Sequence, residues 1–303
     1  MTRILLLGRD GQVGWELQRS LAPLGGVIAL GHAEADFEKP NTLRAVIRGE
    51  APDLIVNAAA YNAVDKAETD SERAMAVNCH AVGVLAEEAK KLGAILIHYS
   101  TDYVFDGNKS EPYTEEDAPN PINLYGRTKV AGERAIHAAG CRHLIFRTSW
   151  VYAVRGTNFA KTILRLASER DEIGVIADQF GAPTSAELIA DVTAQCVNLI
   201  TYCPERFGRL DGIYHLVAAS EISWHDYARF VVAEATKLGL PLRLVPDAIR
   251  AIPTSEYPLP AKRPANARLA TAKLCRAFHI GMPHWQTHLK RFLTEFVAST
   301  RPW

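Results

Sequence analysis

Uninterrupted apolar runs alternate with amphipathic stretches through the first half of the chain. "RILLL" at 3–7 has no polar face and predicts a strand buried on both sides, with glycines at once behind it. Apolar residues then recur at helical spacing over roughly 12–22, "VIAL" at 27–30 predicts a second strand, and 41–49 a helix. "DLIVNAA" opens a third strand at 53, and a long helical stretch runs from about Asp65 to Lys91. "AILIHYS" at 94–100 and "HLIFRTS" at 143–149 read as a fourth and a fifth strand, with a helix over about 122–139 between them. Strands alternating with helices predict an α/β fold, a Rossmann-type doubly wound parallel sheet covered on both faces. Ligands bind such a sheet beyond the carboxyl ends of its strands.

After residue 150 the rhythm weakens. Helices are expected at 158–169, 185–200, 224–238 and 284–298, and short strands near 173–177, 213–217 and 242–245. Prolines cluster at 246, 253, 258, 260 and 264. The expected division is a dinucleotide-binding part at 1–150 and a smaller mixed substrate lobe at 151–303, some of whose segments return to the main sheet.

Composition narrows the partners. Apolar residues are 48% and charged residues 22% of the 303, an ordinary globular balance. Formal net charge is zero, so no global field attracts nucleic acid or an anionic membrane. No apolar run approaches the ~20 residues that span a bilayer. The opening "MTRILLLGRDG" is too short for a signal sequence. The five cysteines, at 79, 141, 196, 203 and 275, are scattered and form no CxxC pair. Reduced thiols and a cytoplasmic location are expected.

"GRDGQVG" places Gly8, Gly11 and Gly14 between the first strand and the first helix. Glycines there allow a tight turn, and the helix N-terminus favours a pyrophosphate. The spacing is GxxGxxG rather than GxGxxG, but the strand–loop–helix context is the one a dinucleotide needs. The second strand ends in Gly31 and His32, where an acid normally holds the adenosine ribose. Arg9 could instead face a 2′-phosphate, which leans towards NADPH over NADH. Glu34 or Asp36 could still reach the ribose, and Asp36–Phe37 is expected along the adenine edge.

"INLYGRTKVAGE" at 122–133 sets Tyr125 and Lys129 one helical turn apart, on one face. A free phenol titrates near ~10, and a neighbouring ammonium lowers that value. A phenol so poised can exchange a proton with a reacting carbonyl. "HYSTDYVFDG" at 98–107 adds Ser100, Thr101 and Asp102 at the rim of the fourth strand, where a hydroxyl can stabilise an oxyanion. In "AKRPANAR", Lys262, Arg263 and Arg268 are candidates for holding phosphate. Trp224 and His225 are expected to begin a helix capped by Ser223.

These motifs, with "NAAAYNAVDKAE", "FRTSWVY", "NFAKTILRLA", "DQFGAPT", "YHLV", "SWHDYA" and "RPANARL" in order, resemble the dTDP-4-dehydrorhamnose reductases, extended short-chain dehydrogenases/reductases. The resemblance runs from about residue 3 to 297. It implies reduction of a dTDP-sugar C4 ketone by NADPH or NADH, towards cell-surface polysaccharide such as lipopolysaccharide O-antigen. It implies Tyr125 as proton donor, Lys129 on the nicotinamide ribose and Thr101 as the hydroxyl. Gly11, Gln12 and Val13 would line the pyrophosphate, and Ala60, Tyr61, Asn62 and Tyr99 the rest of the cofactor. Asp102 and Trp150 would meet the sugar. Asp10 departs from the small or hydroxyl residue usual in that loop. A homodimer bridged by Mg²⁺ on Glu16, Glu187 and Glu295 is also implied. The same fold serves in non-catalytic regulators resembling methionine adenosyltransferase beta subunits, and in related epimerases and dehydratases. Asp102–Tyr103 after the hydroxyl is unlike the Asp-Glu of the dehydratases.

Overall fold

The computed structural model describes residues 1–202, 208 and 210–300. Cys203 lies outside the described residues. Five strands of the first half, β1 (Arg3–Leu7), β2 (Gly26–Leu30), β3 (Leu54–Asn57), β4 (Ile95–Thr101) and β5 (Arg142–Thr148), are all parallel. The second half adds β6 (Val151–Tyr152), β7 (Ile173–Ile176), β8 (Phe180–Gly181), β9 (Thr184–Ser185), β10 (Gly212–His215), β11 (Ile222–Ser223) and β12 (Ile249–Ile252). Of these, β10 joins the main sheet, in the order β10-β5-β4-β3-β1-β2.

The apolar strands are buried on both faces, as their lack of a polar face requires. In β1, Ile4 and Leu6 enter one core and Leu5 and Leu7 the other. Helix α1 (Gln12–Leu21) packs Leu17 and Leu21 on the first face, beside α7 (Phe159–Glu169) and α8 (Ala186–Tyr202). Helices α2 (Pro40–Glu50) and α5 (Ala81–Leu92) cover the second, with Ile136 from α6 (Leu124–Ala139). The first core continues into the helices Trp224–Lys237 and Trp285–Thr300.

Two expectations need correction. The stretch 65–91 is not one helix but α3 (Val64–Ala67), α4 (Ser71–Met75), a π-helical turn at Ala76–His80, and α5. The break frees Asp70 to accept from the Tyr61 hydroxyl at 3.2 Å. The π turn carries Asn78, which accepts from Tyr61 N (3.0 Å) and donates to Thr128 Oγ1 (3.0 Å). The strand expected at 242–245 lies instead at Ile249–Ile252, paired with β7. Residues 243 and 244 both give their amides to the Ala167 carbonyl and so tether α7.

Candidate active site

The glycine loop forms one wall of a cleft of about 460 Å³ above the carboxyl ends of β1 and β3. Gly8 has φ +85°, and a Cβ on it would lie 2.6 Å from Ala59 N. A Cβ on Gly14 would lie 2.0 Å from the Gly8 carbonyl oxygen, so helix and loop meet with no room for a methyl group. Gly14→Ala is therefore expected to weaken ADP-ribose binding roughly tenfold or more, because overpacking costs about 1–3 kcal/mol. Calorimetric titration of the folded variant checks this.

Gly8, Phe37, Ala60, Tyr61 and Asn62 line this cleft, as the sequence suggests. Other expected groups do not. Arg9 donates to Glu34 Oε1 (2.7 Å) and to the Ala29 carbonyl (2.9 Å), which turns it out of the lining. Asp36 is engaged by Lys39 at 3.3 Å and caps the Glu38 amide. Gln12 accepts from Asn158 Nδ2 at 3.2 Å, and Val13 packs on the first core. Gly11 is the N-cap of α1 and donates to the Gly8 carbonyl. The buried Tyr99 points its hydroxyl at Thr193 (2.8 Å), so only its backbone approaches the site.

Thr101 ends β4 and is 5% exposed. Its hydroxyl accepts from Tyr103 N (3.1 Å) and donates to Asp102 Oδ1 (2.9 Å). Asn123 caps α6 by accepting from Gly126 N, which starts the helix beside this rim. A Cβ on Gly126 would lie 2.1 Å from the Tyr103 carbonyl oxygen, so the two elements touch. Tyr125 then meets the Tyr103 ring edge-to-face at 5.8 Å, and its hydroxyl interacts with Thr101. Lys129, one turn on and 1% exposed, donates to the Tyr99 carbonyl at 2.6 Å. The three groups thus gather where β4 meets α6, and Tyr103, on which Tyr125 packs, walls a second cleft.

The electrostatics differ from expectation. Burial, and then the Asp102 carboxylate, push the Tyr125 phenol above its ordinary range; Thr101 offsets part of this. Lys129 does not lower it, because the ammonium is turned to Tyr99. Burial lowers Lys129 itself to about 8. Behind it, Asn57 Oδ1 accepts from Ala59 N (3.1 Å), which aims Asn57 Nδ2 at His98 Nδ1 (3.0 Å). Nδ1 must then accept, so the neutral imidazole carries its proton on Nε2, 3.4 Å from Lys129 Nζ. Burial holds His98 well below its usual range, with the Lys129 charge adding to it.

Asp102 is buried, its Oδ2 has no hydrogen-bond partner, and desolvation raises it from 3.8 to about 7. A carboxyl raised on folding contributes stability at low pH that is lost as pH climbs through the folded value. Asp102→Asn lacks this titration. Its stability relative to the parent should improve between about pH 4 and about pH 8 in urea unfolding. An unchanged difference would contradict the assignment.

The second cleft, of about 350 Å³, is walled by Tyr103, Gln179, Trp224, Tyr257, Leu259 and Arg263. Trp224 is the first residue of a helix capped by Ser223, as expected, and also faces this cleft. Trp150, with φ +48°, lies behind Trp224, stacked at 3.4 Å, and does not line the cleft. A Cβ on Gly181 would strike its indole, so only glycine admits that ring. Arg263 lines the cleft but is held by Asp65 in a two-point pair at 2.6 and 2.7 Å. Arg268 pairs with Glu221 and bonds Asn266 Oδ1 outside the cleft, and His225 bonds the Ile249 carbonyl.

Glu16, Glu187 and Glu295 do converge, with His288, on one small pocket. Arg291 pairs with Glu187 (3.1 Å) and Glu295 (3.2 Å), and Arg19 lies 3.5 Å from Glu16. The chain's own guanidinium groups therefore already balance these carboxylates. Burial raises Glu16 above its ordinary value, which disfavours the charged form a metal needs.

The sequence model described as the RmlD substrate binding domain matches residues 1–298. The chain belongs to this family. Relatives of this family include the dTDP-4-dehydrorhamnose reductase of Escherichia coli (strain K12), 51% identical over 98% of this chain and 99% of its own. That of Burkholderia thailandensis is 49% identical over 94% and 95%. A crystal structure of dTDP-4-dehydrorhamnose reductase from Bacillus anthracis in complex with NADP matches with a TM-score of 0.84 at 32% identity, covering 97% and 99% of the two chains.

Within this family fold, Asn57, His98, Asn78, Tyr103, Gln179 and Tyr257 are site neighbours that sequence reasoning passed over. Asn57 and Tyr103 stood inside motifs at strand ends, which was the available signal. Gln179 and Tyr257 come from the irregular second half, where no periodicity points to a face.

Proposed function

We propose that the protein reduces the C4 ketone of dTDP-4-dehydro-L-rhamnose to dTDP-L-rhamnose with NADPH. The observation that carries this is Tyr125 beside Thr101, with Lys129 one turn on, packed on Tyr103 of the aromatic-walled cleft in a fold that also holds a glycine-loop cleft. The names of the family's full-length relatives supply the substrate.

The glycine loop and the N-terminus of α1 suit a pyrophosphate, and the small strand end Ala58–Ala60 lets the dinucleotide lie close. A reduced nicotinamide dinucleotide held there would supply the hydride that the ketone carbon needs. Tyr125, kept protonated by its buried setting, gives the oxygen a proton, so ketone, hydride and proton balance to alcohol. Thr101 can hydrogen-bond the same oxygen as negative charge develops. Lys129, held by the Tyr99 carbonyl, keeps further N–H donors that can reach a ribose hydroxyl of the dinucleotide. Arg263, Trp224 and Tyr257 offer a guanidinium and two ring faces to a nucleotide sugar.

The decisive experiment supplies NADPH and the dehydro-sugar nucleotide and identifies the product by NMR. Nucleotide binding without oxidation would leave a binding protein of the regulatory kind. Work on a charged nucleotide sugar fits the cytoplasm. Magnesium-bridged self-association rests on the three glutamates alone. Sedimentation with and without chelator tests it.

A further inference from the structure

We infer that Asp10 is a specificity-determining residue that receives the adenosine-ribose diol of NADH. It does so where doubly wound folds place an acid at the end of β2. This rests on the reading that the glycine-loop cleft takes a nicotinamide dinucleotide.

The end of β2 carries no acid, only Gly31. That glycine is buried, and the loop lies directly on it, since Gly8 N and Arg9 N both donate to the Leu30 carbonyl. A Cβ on Gly31 would stand 2.2 Å from Asp10 Oδ2. The obstacle is that carboxylate rather than the backbone. Asp10 thus fills the position from which a side chain at 31 would project. The acid is delivered to the same place from the glycine loop that follows β1, the neighbouring strand. Both residues line the glycine-loop cleft, with His32 and Phe37 beside them.

The surrounding charges fit a diol better than a phosphate. Glu38 also lines the cleft, together with Lys66 and Arg73. Its cation, Arg73, is paired to it at 2.5 Å. Arg9 is committed to Glu34, and its Nε lies 3.8 Å from Asp10 Oδ1, beyond a hydrogen bond. The Asp10 side chain is 65% exposed, so the carboxylate is open to a ligand. Two vicinal hydroxyls can donate to its two oxygens, whereas a 2′-phosphate brings like charge against it. NADPH remains a ligand through the rest of the cleft, and Asp10 is what admits NADH beside it.

The test measures dissociation constants for NADH and NADPH by calorimetry, without sugar substrate. The parent should bind both. Asp10→Asn should weaken NADH roughly tenfold to a hundredfold, the worth of hydrogen bonds to a charged group, with NADPH unchanged or tighter. Gly31→Ala, which drives Asp10 aside, should act in the same direction. The pair Asp10→Ser with Gly31→Asp should restore NADH binding from the β2 side. Equal effects of Asp10→Asn on both nucleotides, or none on NADH, overturn the inference. Failure of the parent to bind either nucleotide overturns the nicotinamide reading, and this inference with it.

Discussion

Tyr125→Phe should lower kcat about a hundredfold to ten-thousandfold, the usual worth of a positioned proton donor. The change removes one oxygen and keeps the ring. The edge-to-face contact with Tyr103 and the packing at the start of α6 should survive. The glycine-loop cleft is lined without Tyr125, so the dissociation constant for NADPH should stay within about threefold. A large loss of turnover with retained binding separates proton delivery from damage to the fold. The raised phenol also gives the expected pH behaviour. With the donor protonated throughout the physiological range, kcat in the reducing direction should show no loss from this group as pH rises through neutrality. A variant that keeps more than about a tenth of parental turnover would remove Tyr125 from the reaction.

Glu133→Ala should destabilise the fold by about 3–5 kcal/mol, because it leaves a buried guanidinium unpaired. Arg147, on β5, donates from Nε (2.9 Å) and Nη2 (2.7 Å) to the two oxygens of Glu133, on α6. Both side chains are almost wholly buried, and Nη1 of Arg147 has no hydrogen-bond partner even in the parent. The guanidinium also lies 5.1 Å from the Phe105 ring centroid, so it cannot swing to water without dismantling that contact. The pair fixes α6, and with it Tyr125 and Lys129, to the sheet. Urea unfolding should therefore show a large fall in midpoint. Glu133→Leu with Arg147→Met should recover much of it, since an apolar pair of similar bulk avoids the desolvation. If Glu133→Ala costs less than about 1 kcal/mol, water reaches the site and the pair is not the anchor described.

The parallel sheet was legible because "RILLL", "VIAL" and "HLIFRTS" have no polar face, and only strands covered on both sides tolerate that. The Tyr125–Lys129 pairing was legible because four residues make about one helical turn. Their electrostatics were not. Sequence spacing places two groups on one face but does not say that the Tyr99 carbonyl takes the ammonium first. Tyr99 itself was misplaced, although strand alternation carried a warning: it is in step with Ile97, and both enter the first core. The break at 68–70 and the π turn left no periodic trace, since Asn78 is recruited by the backbone of Tyr61 from far along the chain. Asp10 was noticed as a departure, but its meaning needed the distance to Gly31.

The sheet order also bears on how the chain is made. Strand β5 is complete at residue 148, yet its outer neighbour β10 begins only at Gly212. The face of α1 likewise waits for α8, which begins at Ala186. At ~5–20 residues per second, the nascent first half spends roughly 3–13 seconds with a bare strand edge, and for the first part of that time with an uncovered apolar helix face as well. An unpaired edge is a template for intermolecular pairing. Synthesis that stalls inside that interval would release a chain prone to aggregate, although its glycine loop and Tyr125 helix are already translated.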